Sequence, residues 1–121
     1  MTTSTEPFPS RPLREVRAVY VWQVGCPSDF ADVTVDFEPW EPGLAFETAP
    51  EAEAEAPDGW SLEELYGAVA EGVREELAEL GLAPAVVVVL RRLRVHEVDS
   101  SERSFRRAGR LLVRNALAAR P

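Results

Sequence analysis

The spacing of apolar residues along the chain alternates between every second position and every third or fourth. Val16 to Val24 reads V-R-A-V-Y-V-W-Q-V, a β-branched and aromatic run that predicts a strand, and Gly25 to Asp29 predicts a turn. Ala31 to Glu38 then alternates without a break. Val33, Val35 and Phe37 share one face; Asp32, Thr34, Asp36 and Glu38 share the other. Pro39, Pro42 and Gly43 end this strand, and Leu44 to Thr48 predicts a short third one.

From Ser61 the period lengthens. Leu62, Leu65, Tyr66, Val69, Val73, Leu77 and Leu80 form one helical stripe, with Glu64, Glu71 and Glu75 on the far face. Ser61 and Glu64 have the spacing of a reciprocal cap, and Gly81 with Pro84 marks the end. Ala85 to Leu90 predicts a buried strand that continues outward through R-R-L-R-V-H-E-V. There Arg92, Arg94 and His96 share one face, and Leu93 and Val95 the other. Asp99 or Ser100 is the expected cap of a last helix. In it Phe105, Ala108, Leu112, Ala116 and Ala119 fall in one narrow arc, with Arg103, Arg107, Arg110 and Arg114 on the opposite side. The order is β-β-β-α-β-α, which predicts an α+β two-layer sandwich with both helices on one face of a sheet.

Two segments lie outside this periodicity. Residues 1–12, with Pro7, Pro9 and Pro12, predict a disordered leader before a domain spanning 13–121. Ala49 to Gly59 reads A-P-E-A-E-A-E-A-P-D-G and predicts a solvated acidic loop inserted at 49–59.

Length adds only that 121 residues fit one domain. Charge changes the picture more. The net charge of −8 argues against general nucleic-acid binding, yet residues 1–90 hold 18 acids against 4 arginines, while residues 91–121 hold 3 acids against 9 arginines. All 13 basic residues are arginine, and neither lysine nor isoleucine occurs, which reads as the coding bias of a GC-rich bacterial genome. One cysteine, Cys26, excludes an internal disulfide, and with one histidine it makes no standard zinc site, so no metal is expected. The absence of a G-x-x-x-x-G-K-[ST] run removes the usual nucleotide cradle, so neither a nucleotide nor any other cofactor is expected. His96 is the sole candidate general base and has no neighbouring nucleophile; no catalytic residue is assigned. No apolar run is long enough to span a membrane and no signal sequence leads the chain, so a cytoplasmic protein is expected.

Two stretches carry a family resemblance. Gln23 to Glu47, Q-V-G-C-P-S-D-F-A-D-V-T-V-D-F-E-P-W-E-P-G-L-A-F-E, is similar to the opening of domain IV of translation elongation factor G. His96 to Gly109, H-E-V-D-S-S-E-R-S-F-R-R-A-G, resembles that domain's later signature, and Ala68 to Glu75 looks like its long helix. The resemblance implies the fold of the second domain of ribosomal protein S-five, with a left-handed β-α-β crossover against the usual rule. It also implies a free-standing copy of the domain without its GTPase. In the intact factor the tip of this domain enters the decoding region and supports translocation. Two loops form that tip, matching Glu47 to Trp60 and Arg91 to His96 here. The first carries Glu51, Glu53, Glu55 and Asp58; the second carries Arg91, Arg92 and Arg94.

The expected function is therefore a non-catalytic, translation-associated domain whose partner is the ribosome, its rRNA or a translation factor. Arg91, Arg92, Arg94 and His96 are the expected contacts, and Arg103, Arg107, Arg110 and Arg114 form a secondary basic stripe. The alternative is an acidic protein-interaction module without a ribosomal role. Oligomeric state is left open by the sequence.

Overall fold

The computed structural model describes residues 7–22, 29–56, 59–96 and 100–118. Its elements are β1 (Pro7–Phe8), β2 (Leu13–Trp22), β3 (Asp29–Pro39), β4 (Gly43–Glu55), α1 (Leu62–Glu79), β5 (Ala83–Arg94) and α2 (Glu102–Ala118). β3 and β4 pair with the same stretch of β5 and so lie on its two sides, β3 antiparallel and β4 parallel. β2 runs antiparallel along β3, and β1 adds two residues in parallel at the start of β5. Apart from β1, this is the predicted order, with the parallel β4–α1–β5 crossover of the α+β sandwich.

The alternation in β3 decides which face meets the helices. Val33, Val35 and Phe37 are fully buried in one cluster with Val69, Val73, Phe105 and Leu112. Asp32 and Asp36 point the other way, yet are only 4% and 1% exposed, because arginine side chains lie over them. The sheet therefore has an apolar face and an ionic face.

Both helices begin and end on local hydrogen bonds. The Glu64 N–H donates to Ser61 Oγ at 3.3 Å, and Gly81, at φ +71°, turns the chain so that the Leu82 N–H reaches the Leu77 carbonyl at 2.9 Å. At α2 the cap is Ser101, not Asp99 or Ser100. The Ser104 N–H donates to Ser101 Oγ at 3.1 Å, and the Ser101 N–H to Ser104 Oγ at 2.7 Å. Ser100 is committed elsewhere: its hydroxyl donates to the Phe30 carbonyl and accepts the His96 N–H, each at 2.8 Å. Asp99 lies outside the described residues.

Three expectations are corrected. The leader is not disordered throughout, because Phe8 is buried edge-on against Phe37, ring centroids 5.1 Å apart. Burying a phenylalanine contributes about 1.5–3 kcal/mol, enough to order a short strand. Trp40, expected in the core or at its rim, is 62% exposed. The third strand does not stop at Thr48. It runs to Glu55, so the acidic segment is strand through Glu55 rather than loop; Pro57 and Asp58 lie outside the described residues. Glu-Ala-Glu-Ala-Glu has the period of a strand, and its acids meet arginines of β5, which removes the like-charge repulsion expected of them.

Candidate functional site

β5 ends in three arginines, and its own alternation would misplace two of them. Val86, Val88 and Leu90 face the core, so a regular strand would send Arg92 and Arg94 inward as well. A β-bulge prevents this. Leu90 pairs with Val35 and Arg92 with Thr34, leaving Arg91 as the additional residue. Parity reverses there, Leu93 and Val95 become the buried residues, and Arg92 and Arg94 stand exposed on the ionic face.

Arg91 turns to the same face and grips Asp36, with Nε 2.8 Å and Nη2 2.6 Å from Oδ2. A second bulge, in β2, supplies the other oxygen: Glu15, at φ 51°, donates its N–H to Asp36 Oδ1 at 2.8 Å. Asp36 thus ties together irregularities in both strands flanking β3. The hydrogen bond to Asp36 raises the Arg91 pKa further above its ordinary value. One position along the face, Arg17 forks both oxygens of Asp32 at 3.0 and 2.8 Å, and Arg14 reaches Glu38 at 2.8 Å. These pairings replace the expected ones, in which the acids of β3 would have met Arg92 and Arg94.

The partners of the terminal arginines come from β4 instead. Arg91 also meets Glu51, Arg92 lies 3.7 Å from Glu53, and Arg94 lies 3.6 Å from Glu55. The Val95 N–H donates to the Glu55 carbonyl at 2.8 Å, closing the ladder. His96 follows on the exposed end, its ring 5.8 Å from that of Phe30. All four expected contacts therefore gather at one end of the sheet, with Arg91 serving the fold as well. The acids that complete this site were placed by sequence in a separate loop; their two-residue period was the available signal.

The basic stripe of α2 divides. Arg107 lies over the Tyr20 ring, 5.8 Å from its centroid, and donates to the Tyr20 hydroxyl at 2.7 Å. Arg103 lines a groove with Glu64, Glu71 and Glu102 between the first turns of the helices, distant in sequence from the arginines of β5. Arg110 and Arg114 turn toward α1, where their Nε atoms donate to the two oxygens of buried Glu76 at 3.0 and 2.8 Å. Burial disfavours the Glu76 charge, but hydrogen bonds and charge from Arg114 and Arg110 outweigh it and hold Glu76 below the usual carboxylate range. The seam is close because a Cβ on Gly72 would overlap the Arg106 carbonyl oxygen, and one on Gly109 that of Val69. Part of the stripe is thus interhelical structure.

Among the described residues, no helix is long and apolar enough to cross a membrane, and no group of three or more His, Cys, Asp and Glu side chains is placed to hold a metal ion. A crystal structure of a protein from Thermus thermophilus resembles the chain at a TM-score of 0.58 and 22% identity, over 82% of this chain and 15% of that one. At that identity the likeness speaks for the fold, and the chain corresponds to a small part of the larger protein. The family model for elongation factor G, domain IV, matches residues 9–119, nearly the whole sheet-and-helix unit described above. The chain belongs to the elongation factor G domain IV family.

Proposed function

We propose that this domain acts in translation without catalysis, contacting the ribosome or a translation factor in the cytoplasm through the end of β5. The observation that supports this is the gathering of Arg91, Arg92 and Arg94 on one face of one strand, with His96 exposed just beyond. They sit on a domain IV scaffold, at the end that in the intact factor enters the decoding region. Within the family this domain is non-catalytic.

Co-sedimentation of the tagged protein with ribosomal subunits tests the proposal. Wild type should pellet with subunits at low salt and be released as salt rises, since phosphate contacts by arginine displace counterions. Arg92→Ala with Arg94→Ala should abolish the association and leave the fold intact, because Arg91 still holds Asp36. No association of wild type at low salt would overturn the proposal. One observation favours the acidic protein-interaction module instead: each terminal arginine already meets a glutamate. That reading predicts no subunit association even after Glu53→Gln and Glu55→Gln.

A further inference from the structure

We propose that the acidic half of β4 is an internal cover on the arginine row. Glu51, Glu53 and Glu55 occupy the places on Arg91, Arg92 and Arg94 that an RNA phosphate backbone would take. Binding of RNA then requires the outer part of this strand to leave. The inference rests on the proposed ribosome contact and names how that contact is regulated.

The match is one acid to each arginine, and ordinary strand pairing does not produce it. Thr48 pairs with Leu90, so a regular continuation would set Pro50 opposite Arg92 and Ala52 opposite Arg94. Instead β4 takes five steps, from Thr48 to Glu53, while β5 takes two, from Leu90 to Arg92. The excursion delivers Glu53 to Arg92 and Glu55 to Arg94. Successive acids on an extended strand repeat at about 6.6 Å, a row of single negative charges along a linear chain.

The outer part is held loosely. At Arg92–Glu53 and Arg94–Glu55 the four side chains are between 60% and 72% exposed, and neither distance is that of a hydrogen bond. Water and salt screen such pairs. The intervening residues are alanines, of which Ala54 is exposed, so little apolar surface anchors the segment. Arg91 differs, since its guanidinium is also bound to buried Asp36 and stays in place. The cover should therefore open from Arg94 inward, with the Val95–Glu55 backbone bond as the last hold at that end.

Fluorescence anisotropy with a short labelled oligouridylate tests this. Glu53→Gln with Glu55→Gln, both at exposed positions, should bind about tenfold tighter than wild type at low salt. The slope of log affinity against log salt should steepen by about 0.7 for each arginine freed. Adding Arg92→Ala and Arg94→Ala to that variant should remove the gain. In RNA-bound wild type, the Val95 amide should exchange with solvent faster than in free protein. Equal affinity of the Gln variant and wild type, a gain that survives loss of both arginines, or unchanged Val95 protection in bound protein would each overturn the cover. The two proposals fail separately. Tighter RNA binding without subunit co-sedimentation sinks the ribosome contact and keeps the cover; co-sedimentation indifferent to the Glu→Gln changes does the reverse. A thermal melt of the Gln variant matching wild type establishes that it is folded.

Discussion

Glutamate meets arginine both in the seam between the helices and along the β4–β5 edge. In the seam, Glu76 is 1% exposed and accepts from Arg110 and Arg114 at hydrogen-bonding distance, where backbones touch through Gly72 and Gly109. Along the edge, Glu53 and Glu55 stand in solvent beyond hydrogen-bonding distance of Arg92 and Arg94. The chemistry is the same, but water decides the outcome. A buried carboxylate must have its donors, so removing them is destabilising; an exposed one exchanges donors for water at little loss. The seam is fixed structure, and the edge is free to respond to a ligand.

The comparison breaks most severely if the apolar layer beneath the seam is not what positions it. Phe105→Ala should destabilise by about 3–5 kcal/mol in chemical denaturation. A change below about 1 kcal/mol would mean that Phe105, fully buried here, does not hold α2 to the sheet. Next in size, Gly72→Ala should cost about 1–3 kcal/mol by forcing the helices apart. Gly67→Ala should do the opposite. Its Cβ would meet nothing within 4 Å, so the higher helix propensity of alanine should stabilise by about 0.5–1 kcal/mol. Equal effects at the two glycines would show that the close approach is not a constraint.

Glu76→Ala should cost about 1.5–3 kcal/mol, the range for hydrogen bonds involving a charged group. Its pH dependence has a definite sign. The folded-state pKa of Glu76 is lowered, so its contribution is complete above the unfolded value of about 4.3 and is lost as pH falls through the folded value. Between neutral pH and about pH 3, wild type should therefore lose more stability than Glu76→Gln; identical acid limbs in denaturation would remove the charge from the account of the seam. The smallest effect belongs to the edge. A double-mutant cycle on Arg94 and Glu55 should give a coupling below about 1 kcal/mol, vanishing at high salt. A larger, salt-resistant coupling would make the edge resemble the seam.

The sequence made the scaffold legible because its signals are local. The alternation Val33, Val35, Phe37, the stripe from Leu65 to Leu77 and the Ser61 cap each need only neighbouring residues to be recognised, and each is present as expected. What escaped depends on distant partners. Of the three adjacent candidates in D-S-S, Ser101 caps α2 while the Ser100 hydroxyl is taken by the carbonyl of Phe30, 70 positions earlier. Glu76 reads as a surface acid until α2 brings Arg110 and Arg114 to it, although their spacing of four places both on one side of a helix. The acidic segment resembles a linker by composition because the arginines that turn it into strand stand about 40 residues later. At the candidate site, sequence identified the arginines and His96 but not the acids that occupy them.

The bulge at Arg91 also makes the chain sensitive to length in a way that differs from its sensitivity to residue type. Deleting that single position would rotate everything after Leu90 by half a pleat, driving Arg92 and Arg94 toward Val33 and Phe105 and turning Leu93 and Val95 out to water. Replacing its side chain would loosen Asp36 but keep the count. Among relatives, this point of the strand should therefore tolerate exchanges of letter far better than a missing one, and a gap there would mark a protein in which the whole far end of the sheet had been rebuilt.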